Sequence, residues 1–130
     1  MTRSATELAR ALAALRVDLG AHWQRCCAVA MTEFGRAARE NGAIGTDHGA
    51  GTVMFVAGGG VRGGAVLTRS GWPGLTPAAL FEGRDLAVTT DYRDVFAELL
   101  DRHFGLPLAA IAPVLPGHAI SPANYPGVLA

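Results

Sequence analysis

Two short motifs in this sequence carry acidic, basic and imidazole side chains. The first contains Glu33 and Arg36 and the second contains Asp47 and His48, with glycines around both. The apolar run from Cys26 to Met31 precedes the first motif and predicts that Glu33 lies at the carboxyl end of a buried strand. Ligands of open α/β sheets gather at the carboxyl ends of strands. Carboxylate, guanidinium and imidazole groups at this position suit a metal ion or an anionic oxyester.

Each of these residues also has a purely structural interpretation. Glu33 is then a solvated carboxylate that pairs with Arg36, and His48 is a loop histidine with a backbone partner. For any one residue alone the structural interpretation is favoured. Because the residues share two loops that leave adjacent predicted strands, we give ligand binding equal weight for the group as a whole.

Composition sets the bounds on fold and function. The chain has 130 residues, about one domain, and half of them are apolar, which is enough for one core. Eleven basic residues balance eleven acidic ones, so no electrostatic footprint for nucleic acid or an anionic membrane is present. No apolar run reaches the ~20 residues that a spanning helix needs, and no signal-peptide pattern precedes the first predicted helix. The sequence as written therefore predicts a cytoplasmic location.

Helices and strands alternate in the predicted secondary structure, which indicates an α/β fold of three or four short, mainly parallel strands in a single domain. Leucines at positions 8, 12, 15 and 19 predict an amphipathic helix from about Thr6 that closes near Gly20 or continues towards Arg25. The other predicted elements are buried strands over 26–32 and 52–57, a strand over 86–89, a short edge strand over 65–68, a helical turn over 77–81, a helix over 92–104 capped by Asp91, and a short helix near 108–111. Residues 35–51 are predicted to form a loop, and the proline-rich tail 107–130 is predicted to pack on the domain.

The glycines that follow the second strand do not indicate a nucleotide site. Gly58, Gly60 and Gly63 match the spacing of the dinucleotide fingerprint, but that motif works only where its glycines open a helix. The following residues, from Gly64 to Thr68, have a strand or turn pattern instead. A tight turn is therefore the preferred interpretation.

Two buried strands need more neighbours than this chain supplies. Strands that are apolar on both faces are typical of parallel sheets with both faces covered. Three or four short strands and the flanking helices do not cover both faces. The sequence therefore predicts part of a larger α/β sheet, with pairing to another chain or marginal stability as the alternatives.

Several motifs in order along the chain carry a family resemblance. They are Thr32-Glu33-Phe34-Gly35-Arg36, Glu40-Asn41-Gly42, Gly45-Thr46-Asp47-His48-Gly49, the glycine-rich run 58–64, Trp72-Pro73-Gly74-Leu75 and the segment 86–95. From about Leu8 to His118 the chain resembles the carboxyl-terminal portion of the bacterial domain-of-unknown-function family 1501. That family is sulfatase-like and belongs to the alkaline phosphatase superfamily.

The resemblance implies a fold and a metal site. Its fold is an α/β/α sandwich that holds one or two divalent metals for hydrolysis of phosphate or sulfate esters. Glu33 is similar to the strand-end aspartate ligand and His48 to a later histidine ligand, and Asp47 is a third possible ligand. Phe34 falls where a further histidine ligand is expected, which removes at least one ligand. The implied metal is zinc, manganese, calcium or magnesium, and Arg36 is expected to bind an anionic oxygen of the substrate.

Nothing in the sequence resembles the nucleophile-bearing half of superfamily enzymes. The chain is therefore expected to be a truncated, split or fragmentary hydrolase domain of unknown substrate that is inactive alone. Its expected partner is a separately encoded amino-terminal half or a second copy of the chain. Family relatives are often exported by the twin-arginine route. The alternative is a non-catalytic interaction domain that completes the α/β sheet of a partner.

Overall fold

A long helix opens the fold. The computed structural model describes residues 2–130, with side chains from Ser4 onward. Helix α1 spans Thr2–Leu19 and continues as a 3₁₀ helix over Gly20–Arg25, which confirms the predicted helix and its extension. Its leucine face is only partly covered: Leu8, Leu12 and Leu19 are half-buried, and Leu15 is 40% exposed. None of the described helices is both long and apolar enough to cross a membrane.

Strands β1 (Cys27–Ala30) and β4 (Phe55–Gly58) pair with each other in antiparallel register. Val29 lies opposite Val56, and Ala30 lies opposite Phe55. The prediction of mainly parallel, buried strands is therefore wrong. Parallel neighbours need a crossover connection, usually a helix, and residues 31–54 between these strands contain no helix. Both strands are half-buried at most, and Phe55 is 51% exposed.

The predicted loop over 35–51 contains a second, smaller sheet. Strand β2 (Gly35–Arg36) pairs antiparallel with β3 (His48–Gly49). Leu86 lies beside this pair: its N–H donates to the carbonyl of Arg36 at 3.0 Å, and its carbonyl accepts from the N–H of Gly51 at 2.8 Å. Apart from these two hydrogen bonds of Leu86, the predicted strand over 86–89 does not form. The predicted edge strand over 65–68 is also absent from the structure.

The carboxyl-terminal helices agree with the sequence pattern. Helix α2 spans Tyr92–Glu98 and continues as a π-helical turn over Leu99–His103, and helix α3 spans Leu108–Ile111. The carboxylate of Asp91 accepts a hydrogen bond from the N–H of Arg93 at 2.9 Å, which confirms the predicted N-cap. Phe104, the last residue of the predicted helix, is 66% exposed. The N–H of Phe104 donates to the carbonyl of Leu99 and closes the π turn. Because a π turn is wider than an α-helical turn, the side chain of Phe104 is rotated away from the buried face.

The described residues fold as two compact units. The first unit runs to Gly59 and includes Pro73–Val88, and the second unit comprises Gly60–Trp72 and Thr89–Ala130. Among the residues with described side chains, the buried apolar ones of the second unit are Val95, Ala97, Leu99, Ile111 and Val128. In the first unit, Ala37 is the only buried apolar residue among those with described side chains. The chain thus forms a mixed α and β fold, in which the second unit has a small core and the first unit has almost none. The organisation as one domain stays a prediction.

The Asp91 cap yields a stability prediction. Substitution Asp91→Ala removes both the cap and the ion pair with Arg93, whose Nη2 lies 2.7 Å from the carboxylate. We expect the free energy of unfolding to fall by about 1 kcal/mol, the usual loss for an N-cap. Urea denaturation followed by circular dichroism measures it. Asp91→Asn is the matched control, because asparagine caps a helix as well as aspartate does, and its loss must be smaller.

Asp91 also makes the stability of the protein depend on pH, and the direction of this dependence follows from its pKa. The hydrogen bonds from Arg93, foremost that of its side chain, lower the pKa of Asp91 from 3.8 to about 2. Because the folded state holds the lower pKa, the stabilisation is complete above the unfolded pKa and is lost as pH falls towards 2. Wild type and Asp91→Asn must therefore converge in stability over this interval. An unchanged difference between them down to the folded pKa contradicts this assignment.

Candidate functional site

The small β2–β3 sheet positions two of the predicted site residues. Arg36 and His48 lie directly opposite each other in its register. One guanidinium nitrogen of Arg36, Nη1, donates to the carbonyl of Thr46 at 3.2 Å. Glu33 lies exposed between β1 and β2, three positions after β1 ends at Ala30, so it is not at the end of a buried strand. The sheet brings Arg36 and His48 together and leaves Glu33 in the connection that precedes it.

Asp47 has partners in its own surroundings. Its carboxylate accepts a hydrogen bond from the side-chain amide of Asn41 at 2.8 Å and lies 3.9 Å from Nη2 of Arg84. Its backbone carbonyl accepts from the N–H of Ala37 at 2.9 Å. The side chain is exposed to solvent. These contacts fix the loop that leads into β3, just before His48.

His48 stacks on Phe34. The two ring centroids are 4.6 Å apart and the rings are within 9° of parallel. The phenyl ring therefore covers one face of the imidazole. A face-to-face stack leaves the ring edge, with its two nitrogens, uncovered by the phenyl group. The imidazole is therefore oriented by an apolar neighbour and stays accessible at the surface.

The predicted metal ligands do not form a complete set in this chain. Among the described residues, no three His, Cys, Asp or Glu side chains form a group that fits a metal ion. A catalytic zinc site typically has three protein ligands and one open position. The donors present here therefore do not fit a metal by themselves. Ligation by Glu33, Asp47 and His48 together with donors from elsewhere stays a prediction.

Asp85 is a residue whose importance the sequence pattern does not show. It forms an ion pair with its neighbour Arg84, with Nη1 and Oδ1 at 3.1 Å, and its side chain is only 13% exposed. Its second oxygen accepts a hydrogen bond from the N–H of Ala50, also at 3.1 Å. The carboxylate therefore ties the chain that follows β3 to a segment 35 residues away. Such a long-range contact leaves no local signal in the sequence.

The sequence analysis also did not identify two buried acids of the second unit. Asp94 and Glu98 are 3% and 0% exposed and lie one helical turn apart on α2. Nε2 of His118, predicted only as a residue of the tail, lies 2.7 Å from the carboxylate of Asp94. Each of these acids directly precedes a buried apolar residue, Val95 or Leu99, and this is the sequence signal that could have identified them. Both carboxylates hold the carboxyl-terminal segment, as described below.

The β2–β3 site combines guanidinium, carboxylate and imidazole groups. Arg36 lies opposite His48 in the sheet, and a guanidinium can bind carboxylate or phosphate oxygens bidentately. The guanidinium of Arg84 is already paired with Asp85 and lies near Asp47. The Nη2 of Arg84 donates to the carbonyl of His48 at 3.5 Å, which places this cation at β3. His48 and Asp47 are both exposed to solvent. The site therefore lies at the surface and does not exclude water.

The close approach of β2 and β3 predicts a strict requirement for glycine at position 35. A Cβ atom at Gly35 would collide with the backbone carbonyl oxygens of Gly49 and Ala50. We expect Gly35→Ala to lower the free energy of unfolding by about 1–3 kcal/mol, as other overpacked substitutions do. Gly42→Ala, in the same loop, is the matched control because its Cβ meets no atom within 4 Å. Equal stabilities of the two variants in urea denaturation contradict the close approach.

Comparisons with known proteins bear on the family and not on a particular activity. No curated protein and no solved structure matches this sequence. The sequence model of one family, described as a protein of unknown function (DUF1501), matches residues 1–115. Since the match covers most of the sequence, the chain belongs to the DUF1501 family.

Proposed function

We propose that the chain is the carboxyl-terminal portion of a sulfatase-like, metal-dependent hydrolase domain of alkaline phosphatase type, and that it is inactive alone. Two arguments support the proposal: the order of the family motifs along the sequence, and the incomplete sheet of the first unit. The substrate class is a phosphate or sulfate ester. The observation that carries the proposal is the incomplete sheet.

The β1–β4 sheet has too few strands to be stable by itself. A two-stranded sheet is marginally stable in water unless further strands or a helix cover it. Each of the two strands has one partner in the described part of the chain, so each keeps one unpaired edge. Val53, just before β4, is 50% exposed, and Phe55 within it is similarly exposed. We propose that strands of the amino-terminal half add to one of these edges and complete an α/β/α sandwich.

In the completed domain the β2–β3 residues have distinct roles. Arg36 binds an anionic oxygen of the ester through its guanidinium group. Glu33, Asp47 and His48 act as ligands of a divalent metal, together with ligands from the other half. The nucleophile also comes from that half. The unenclosed site described above agrees with a chain that has no activity of its own.

The experiment begins with the DNA immediately upstream of the codon for Met1. The proposal predicts a segment there, in frame or shifted, that codes for a nucleophile-bearing α/β half. Co-expression of that segment with this chain is expected to give hydrolysis of p-nitrophenyl phosphate or p-nitrophenyl sulfate, and neither part alone is expected to be active. Arg36→Gln should lower kcat/KM about 10- to 100-fold, the effect of losing one charge-assisted hydrogen bond. Arg39→Gln is the matched control, because Arg39 is an exposed arginine three positions after Arg36 and outside β2.

One result would contradict the hydrolase proposal, and another would contradict the role of Arg36 within it. One is an assembled complex that hydrolyses neither ester with zinc, manganese, calcium or magnesium added. The other is equal activity of the Arg36→Gln and Arg39→Gln complexes, which removes the role of Arg36. Calorimetric titration of the assembled complex with zinc or manganese tests the metal separately. His48→Ala must weaken that binding if His48 is a ligand.

A second candidate, a non-catalytic interaction domain, is favoured by α1. The leucines of this helix form one face at helical spacing, yet that face is only partly covered. Amphipathic helices usually bury such a face against another element. In this alternative the chain docks on a partner that covers α1 and completes the sheet, and no ester is hydrolysed. The partner is a protein with an apolar surface and an open α/β sheet.

Matched variants of α1 test whether the leucine face is an uncovered apolar surface. Leu15→Glu places a charge on this face, and Val17→Glu places one on the opposite face, where Val17 is 81% exposed. We expect wild type and Val17→Glu to bind the apolar dye ANS or to self-associate with rising concentration, and Leu15→Glu to do so markedly less. Fluorescence and analytical ultracentrifugation measure both effects. A stable wild-type monomer that binds no dye contradicts the interaction proposal.

A further inference from the structure

The carboxyl-terminal segment is attached to one row of acids in the second unit. Asp91, Asp94, Glu98 and Asp101 follow one face of α2 and its π-helical extension, at spacings of three, four and three residues. The contacts of these carboxylates with residues 118–129 are made by the His118 imidazole, the Tyr125 hydroxyl and three backbone N–H groups. The row therefore holds the segment over most of its length.

Glu98 makes the largest number of these contacts. Its side chain is fully buried. Its carboxylate accepts hydrogen bonds from the N–H groups of Gly127, Val128 and Leu129 at 2.8, 3.1 and 3.1 Å, and from Nη1 of Arg102 at 3.3 Å. A buried carboxylate without such partners would be strongly destabilising. The segment and the acid therefore satisfy each other: without the segment, Glu98 would lose three of these four donors.

Two further side chains, those of His118 and Tyr125, hold the segment nearer to its start. Nε2 of His118 lies 2.7 Å from Asp94, and Nδ1 lies 3.8 Å from Asp91. The hydroxyl of Tyr125 donates to Asp101 at 3.1 Å, and burial together with this hydrogen bond raises the pKa of Tyr125 to about 12. The guanidinium of Arg102 lies 5.4 Å from the centre of the tyrosine ring. These contacts are side chain to side chain, whereas Glu98 binds backbone.

On its other side the segment pairs with Gly60–Arg62. The N–H of Arg62 donates to the carbonyl of Val128 at 2.8 Å, and the N–H of Ala130 donates to the carbonyl of Gly60 at 3.0 Å. Val61 and Leu129 are therefore opposite each other in an antiparallel bridge. The side chain of Val128 is buried. Residues 127–130 are thus held between a backbone edge on one side and a buried acid on the other.

We propose that residues 118–130 form a strap that opens and closes as one unit while α2 stays folded, and that Glu98 is its latch. The three N–H bonds to Glu98 form or break together, because a single carboxylate accepts all of them. Opening returns the Glu98 charge to water, so the open state does not leave a buried, unpaired carboxylate. It also exposes the acid row and the backbone edge of Gly60–Arg62. Native proteins commonly open in contiguous cooperative units of this kind, with free energies below that of global unfolding.

Hydrogen–deuterium exchange of the full chain tests the strap. In Glu98→Ala we expect the amides of Gly127, Val128 and Leu129 to exchange at least about 10-fold faster than in wild type, the effect of losing roughly 1.4 kcal/mol of protection. The amides of Val95, Phe96 and Ala97 should keep wild-type rates. Glu40→Ala is the control for substitution of an exposed glutamate. Unchanged exchange at 127–129 would overturn the latch, and equal acceleration in α2 would overturn independent opening.

A measurement on the wild type keeps the proposal testable if Glu98→Ala does not fold. Exchange is followed as a function of urea below the unfolding transition. The strap predicts that the amides at 127–129 open with a smaller urea dependence than those at 95–97, because the opening exposes less surface. Tyr125→Phe should raise the exchange at 127–129 by a smaller factor than loss of Glu98. Identical urea dependence at both segments overturns the strap.

Discussion

The architecture of the first unit depends on the hydrogen-bonding requirement of strand edges. Each backbone N–H and C=O of a strand needs a partner in protein or water, and exposed edges invite pairing with further strands. The described residues give β1 and β4 only each other, so one edge of each strand remains open. The partly covered leucine face of α1 and the exposure of Phe55 show the same deficit in apolar contacts. The first unit therefore has the properties expected of part of a larger sheet.

The polar site is organised by long-range backbone contacts. Arg36 and His48 face each other because two glycines, Gly35 and Gly49, allow their strands to approach closely. Asp85 then holds the chain after β3 through a hydrogen bond to the N–H of Ala50. A short sheet built in this way presents guanidinium and imidazole groups without enclosing them. Such a surface site needs additional walls to exclude water and to position a substrate.

Local sequence signals predicted the helices well and the strands poorly. Asp91 as an N-cap and Gly105, which adopts a φ of +68°, mark the ends of the carboxyl-terminal helical segment, and both are properties of single residues. The apolar run before Glu33 does predict a strand, but it does not tell which partner or direction the strand takes, since pairing is a non-local choice. The two-residue strands β2 and β3 are too short to give a periodic pattern. The sequence could predict that Arg36 and His48 lie on two neighbouring segments. The roles of Asp85 and Glu98 could not be predicted in this way, because they depend on residues about 30 positions away.

The central claim is that the first unit is an incomplete sheet, and native-state hydrogen exchange of the isolated chain tests it most directly. A marginal two-stranded sheet opens easily, so the amides of Cys27–Ala30 and Phe55–Gly58 should show little protection. Within the same sample, the amides of Val95 to Glu98 should show the highest protection, because they belong to a helix with buried side chains. Weak protection of both strands beside strong protection of α2 is the result that this account predicts. Protection of β1 and β4 equal to that of α2 would contradict it.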